Sequence, residues 1–201
     1  MTEAIEEILQ FWFGPLHEGF AAESKQALWW SGREEHDMEL QELFGCRVRQ
    51  ASRGELEDWS INPRGRLALI LLLDQFTRSI YRGTADAFAG YARALGLCRQ
   101  GIELGHDRGL EFSERLFFYM PLEHAESVEA QDLHIDILEG LRQEVPLQRR
   151  AVIDNALNFA HQHRDLVVRF GRFPHRNDAL QRVSTPEELA YLNQSHRRWG
   201  Q

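Results

Sequence analysis

The sequence predicts an all-α protein of about eight or nine helices, and three observations carry that reading. Apolar residues recur every three to four positions along most of the chain, and no stretch alternates with period two over the length of a strand. Glycine, proline and capping residues punctuate the periodic segments at helix-like intervals. Short turns between successive helices favour antiparallel hairpins, either in a compact bundle or stacked in a superhelix.

The first element runs from Thr2, where Ile5, Ile8, Leu9 and Trp12 share one face, to the Gly14-Pro15 break. A loop to about Ala21 leads to a short helix carrying Leu28, Trp29 and Trp30. A longer one follows with Met38, Leu40, Leu43, Phe44 and Val48, separated from it near Ser31-Gly32. Trp12, Trp29, Trp30 and Trp59 read as core anchors rather than ligand-stacking groups, because large aromatics at helical spacing most often fill the interior.

The central helix is the most informative. Asn62 caps it, Pro63 is pre-set for its first position and Gly83 supplies its stop. Seven apolar residues, Leu67 to Leu73, run without a break into Asp74, Gln75, Arg78, Tyr81 and Arg82. At about 100° per residue Asp74, Gln75, Arg78 and Arg82 fall on one side, opposite Leu69, Leu72, Leu73, Phe76 and Ile80. Charge emerging from so apolar a helix must line a cleft or meet facing charge.

Thr84 is placed to cap a segment holding Phe88, Tyr91, Leu95, Leu97, Ile102 and Leu104 and closed by Gly105. Ser113 to Tyr119 forms a short helix that Pro121 disturbs, leaving PLEHAE at a turn or a new start. If it is helical, Glu123 and Glu126 share a face and His124 aligns with Ser127 and Gln131. Val128 to about Gln143 is the next helix. Leu147 to Phe170 is a long one with Val152, Ala156, Phe159, His163 and Val167 on one side. Gly171 and Pro174 then force an irregular segment that displays Arg172, His175, Arg176 and Asn177. Thr185-Pro186-Glu187-Glu188 starts the last helix with a capping box.

At 201 residues with no linker or low-complexity tract, a single domain over 1–201 is expected. Thirty-one acidic against 23 basic residues, a net charge of -8, argue against nucleic-acid and lipid-headgroup binding. The acidic N-terminal stretch does not fit a signal peptide and no apolar run spans a bilayer, so a cytoplasmic location is expected. Cys46 and Cys98, without a CxxC pair, read as reduced thiols. His163 reads as a core residue, and His17, His36, His106, His134, His161 and His196 as surface groups. GxGxxG, GxxxxGK, GxSxG and HExxH are all absent.

Three stretches place chemistry beside obligatory core: LLLDQFTRSIYRGT, FFYMPLEHAESVEAQ and FGRFPHRN. Together with FWFG at Phe11 to Gly14, LALILLLDQF at Leu67 to Phe76, AF at Ala87-Phe88 and STPEE at Ser184 to Glu188, they resemble the bacterial family of unknown function DUF924 over nearly the whole chain. The resemblance implies a tetratricopeptide-like helical fold and brings no reaction with it. The chain departs from the family pattern at Thr77 and Ser79, where proline and asparagine are usual, at Gly90 for an acidic residue and at Gln181 for glycine.

The residues themselves leave several readings open. In the first, Asp74, Glu123 and Glu126 neutralise Arg78, Arg82, Arg172 and Arg176 in an interior network. In the second, favoured for function, the cleft holds a small anionic molecule: Arg78, Arg82, Arg172, Arg176, Glu126 and Asn177 bind it while His124, Glu123, Asp74 and His175 handle protons. A metal-dependent hydrolase drawing on His124, His163, His175, Asp74, Glu123 and Glu126 is the third, and a tetratricopeptide-like peptide-binding groove the fourth. No metal or cofactor is expected. Under the network and small-molecule readings Asp74, Arg78, Glu123, His124, Arg172 and Arg176 converge in space.

Overall fold

The computed structural model describes residues 2–194, so His196 lies outside the described residues. The chain forms two compact units, one ending at Pro121 and the next beginning at Leu122. Among the described residues there are nine helices and one two-stranded hairpin, and no helix is long and apolar enough to cross a membrane.

In the first unit α1 (Thr2–Phe13) buries Ile5, Ile8, Leu9, Trp12 and Phe13, the face its spacing predicts. The expected loop after it contains a small hairpin, β1 (Leu16–His17) and β2 (Phe20–Ala21). Its turn, Glu18-Gly19, holds both residues at positive φ (52° and 82°), a geometry suited to so tight a reversal. Helices α2 (Lys25–Trp30) and α3 (Glu34–Ser52) follow as expected. Trp12 and Trp59 are buried and Trp29 partly so. Trp30 corrects the core reading: one face stacks on Phe117 at 5.8 Å, but the residue is 55% exposed.

The central helix, α4, comprises Pro63–Ile70, Leu71–Phe76 and Thr77–Ile80 in continuous succession. Asn62 caps it, its Oδ1 accepting from the Gly65 N–H at 2.9 Å. The middle piece is π-helical, which widens the turn and shifts the predicted angular positions beyond Leu71. Every residue from Leu67 to Thr77 is buried, Asp74 and Gln75 included. Polar character reaches partial exposure only at Arg78.

Beyond α4 the single segment expected from Thr84 is divided. A 3-10 turn (Ala85–Phe88) precedes α5 (Tyr91–Glu103), and the Thr84 hydroxyl donates to the Tyr81 carbonyl at 2.7 Å instead of capping. The division has a packing cause. At Gly90 an added Cβ would lie 2.2 Å from the Leu73 carbonyl oxygen, so the chain turns where it touches the π-helical backbone of α4. Helix α6 (Phe112–Glu123) runs through Pro121 and does not break there. In the last turn proline removes only one intrahelical hydrogen bond.

In the second unit α7 (Val128–Glu144) is capped by the Ser127 hydroxyl, which accepts from Ala130 N–H, and packs against α8 (Arg150–Phe170). The buried face of α8 carries Ile153, Ala160, His163, Leu166 and Val167. Val152 and Phe159, expected on that face, are 38% and 39% exposed. Gly171 ends α8 at a φ of 70°, and a 3-10 turn (Pro174–Arg176) leads toward α9 (Pro186–Gln194). The predicted capping box is present: Thr185 N–H donates to Glu188 Oε2 at 2.7 Å and Glu188 N–H to Thr185 Oγ1 at 3.2 Å.

Candidate functional site

In the first unit the α4 side chains engage near neighbours. Gln75 Nε2 donates to Asp74 Oδ2, and Arg78 Nη1 to the Tyr91 hydroxyl at 3.0 Å. Arg82 clasps Asp37 of α3 with both arms, at 2.8 and 2.9 Å.

The second unit gathers the other predicted residues, and it begins with how α6 ends. Gln131 is fully buried, and its Nε2 donates to the carbonyls of Glu123 at 2.6 Å, Ala125 at 2.9 Å and Leu122 at 3.3 Å. One amide thereby satisfies carbonyls that a helix end leaves open and holds Glu123 as the last residue of α6. The continuous helix that would align Glu123 with Glu126 does not form, since residues 124–127 form a turn. The two carboxylates are accordingly used differently.

Glu126 accepts from Phe173 N–H at 2.8 Å and pairs with both arms of Arg182 at 2.7 and 2.9 Å. Burial pushes its pKa up, but the Arg182 hydrogen bonds and the Phe173 amide outweigh that and hold it below the usual carboxylate range. Arg172 makes the equivalent clasp on Glu188, at 2.6 and 2.7 Å, which draws that carboxyl down to about 2. Asn177, also fully buried, donates to Ser184 Oγ at 2.9 Å and to Glu188 Oε2 at 3.3 Å. Glu188 therefore serves the capping box, Arg172 and Asn177 at once.

Arg176 is 4% exposed, stacks its guanidinium on Phe173 at 4.3 Å and donates Nη1 to the His124 carbonyl at 2.9 Å. Phe173 also meets the rings of His163 at 5.5 Å and His175 at 5.6 Å. Glu123 lies between two imidazoles, with His134 Nδ1 3.7 Å from Oε2 and His163 Nδ1 3.7 Å from Oε1. All three are more than nine-tenths buried. Burial, with the nearby charge of His124, drives the His134 pKa down to about 3, so that ring is neutral at ordinary pH.

His134 corrects the surface reading. It falls in the α7 stripe with Gln131, Leu138 and Leu141, a periodicity that would have found it. Arg182 and Gln131 carried no comparable local signal, because their partners are 6 to 56 residues away, and Glu188 was legible as a member of the capping box but not as the partner of Arg172. Among the described residues no group of three or more His, Cys, Asp or Glu side chains is placed to hold a metal ion.

Residues 8–196 match the family described as bacterial protein of unknown function (DUF924). The chain belongs to the DUF924 family. A solved structure, that of the protein of unknown function ATU0120 from Agrobacterium tumefaciens, is 34% identical. The match covers 96% of this DUF924 chain and 99% of that one, with a TM-score of 0.81. No curated protein matches.

Proposed function

We propose that this DUF924 member binds a small anionic molecule in its second unit, where Arg176, His124, His175 and Asn177 are close together. The supporting observation is the concentration of buried basic side chains there: Arg176, His124, His134 and His163 are each less than 7% exposed. Two nearby carboxylates, Glu126 and Glu188, are already clasped by Arg182 and Arg172. Arg176 supplies the planar donor that suits a carboxylate or phosphate, and His124 and His175 carry the proton.

A network reading is favoured for part of the constellation. Bidentate pairing at both ends suits Arg172 and Glu126 to a structural role. The proposal assigns no ligand contact to Asp74, Arg78 or Arg82.

The test is thermal stabilisation by phosphate, sulfate and succinate against chloride at matched ionic strength. A bound anion at tenfold its Kd adds about 1.4 kcal/mol. Arg176→Gln should abolish that response. Arg172→Gln should keep it while unfolding at lower temperature, because Glu188 loses the guanidinium that pairs with its charge. No stabilisation beyond the chloride control, or an undiminished response in Arg176→Gln, would sink the reading.

A further inference from the structure

We infer that the hydrogen bond between Arg66 and His106 is a pH-sensitive latch: while His106 is neutral it ties the turn His106–Gly109 to α4, and a proton taken up by His106 releases it. The device lies wholly in the first unit, apart from the residues assigned to anion binding.

Arg66 is 2% exposed, and among the described residues its guanidinium meets no carboxylate. Its Nη2 donates to the Ser60 carbonyl at 2.7 Å, its Nη1 to the Leu97 carbonyl and to Gln100 Oε1 at 3.0 Å each, and its Nε to His106 Nδ1 at 3.2 Å. Neutral acceptors thus hold a buried charge in place of an anion. They come from the 3-10 turn Glu57–Ile61, from α5 and from the 3-10 turn His106–Gly109, so that one side chain of α4 gathers three segments.

Chemistry fixes the direction of the bond to His106. A guanidinium offers N–H groups and no acceptor, so Nδ1 must accept and the hydrogen of the neutral ring sits on Nε2. The carbonyl acceptors do not titrate near neutral pH, but the imidazole does. A proton from solvent enters on Nδ1, the atom that Arg66 addresses. The acceptor then becomes a donor, and two cations face each other across the length of a hydrogen bond. His106 is the partner that moves, because it is only partly buried while Arg66 keeps its other acceptors.

The turn packs against α4 and α5. From α4 the charge acting on His106 is Arg66. From α5 come Gln100, which is uncharged, and the Cys98 thiol, which burial keeps protonated. Within the turn, Asp107 accepts from the Tyr119 hydroxyl of α6 at 2.6 Å, and Arg115 Nε donates to that hydroxyl at 3.3 Å. Burial and then Arg66 make His106 harder to protonate, and Asp107 opposes them. The bond from Tyr119 to Asp107 does not involve the imidazole, so release is confined to the His106 side of the turn.

Long-range nitrogen–proton NMR of the histidine rings reads tautomer and pKa directly. In the parent, neutral His106 should be the Nε2–H tautomer with a pKa below 6.5. Amide hydrogen exchange, expressed as protection relative to the unfolded rate at the same pH, is then compared one unit above and one unit below that pKa. Gly105 and Arg108, whose amides donate to the Ile102 and Gly105 carbonyls, should lose at least threefold more protection than Leu69 in the core of α4. His106→Asn, which offers an acceptor that does not titrate, should remove that excess. An Nδ1–H tautomer or a pKa at or above 6.5 in the parent overturns the latch, and neither measurement needs a variant to fold. Equal losses of protection in the turn and in α4, or an excess that persists in His106→Asn, overturn it as well.

Discussion

Gln181 occupies a left-handed backbone conformation, with a φ of 53°. That conformation costs a residue with a Cβ about 1 to 2 kcal/mol, whereas glycine enters it freely but loses more chain entropy on folding. Gln181→Gly should therefore stabilise the protein by roughly 0.5 to 1 kcal/mol, the difference between those two effects. Denaturant midpoints with unchanged slopes would check it, and a destabilised variant would refute the strain. Gly90 shows the opposite case. Its backbone leaves no room for a Cβ beside the Leu73 carbonyl.

At the scale of elements, α4 explains why Gly90 matters. Its π-helical piece presents backbone, not side chain, to the start of α5, so the contact there is between main chains. Gly90→Ala should cost about 1 to 3 kcal/mol, the range of overpacking, because the obstructing atom is a carbonyl that cannot swing aside. Gly96, with nothing within 4 Å of an added Cβ, is the control. Gly96→Ala in the middle of α5 should be neutral or up to about 1 kcal/mol stabilising on helix propensity alone. Equal effects at the two sites would show that the π segment does not constrain the packing.

The groups that titrate below neutral pH act in one direction across the whole molecule, whereas burial raises the Cys98 thiol and the Tyr119 phenol, which withdraw stability only at alkaline pH. The unfolded chain takes up a proton at His134 near its ordinary pKa of 6.5, but the folded one does not until about 3, so stability present at neutral pH is lost as pH falls below 6.5. His106, lowered by burial and by Arg66, adds in the same sense. Glu188, held near 2 against 4.5, adds a second decline below pH 4.5. We expect thermal stability to be level between about pH 7.5 and 8.5 and to fall from 6.5 downward, His134 contributing up to about 1.4 kcal/mol per pH unit. His134→Phe should flatten the stretch between 6.5 and 4.5 and leave the lower decline. A profile unchanged by that substitution would mean His134 titrates normally.

What the sequence alone determined is what depends on near neighbours along the chain. Helix periodicity, the Asn62 cap, the Thr185–Glu188 box and the stop at Gly171 rest on groups a few residues apart, so composition and spacing suffice to place them. Even Pro121 was misjudged for a local reason, since its effect depends on how near the helix end it lies. What only the tertiary structure decided is which charges meet. Arg172 was legible as a displayed donor, yet its partner Glu188 stands 16 residues on, and Arg182 reaches back 56 residues to Glu126. His163 and Phe173 were legible as core and loop, but the edge-to-face contact between their rings depends on the chain turning back at Gly171. The π-helical turn of α4 was equally out of reach, because widening a helix trades local hydrogen-bond geometry against packing by neighbours that no window of sequence contains. Pairing of buried charge is a property of the folded interior, where desolvation makes each partner obligatory, and the chain codes for it only through the whole fold.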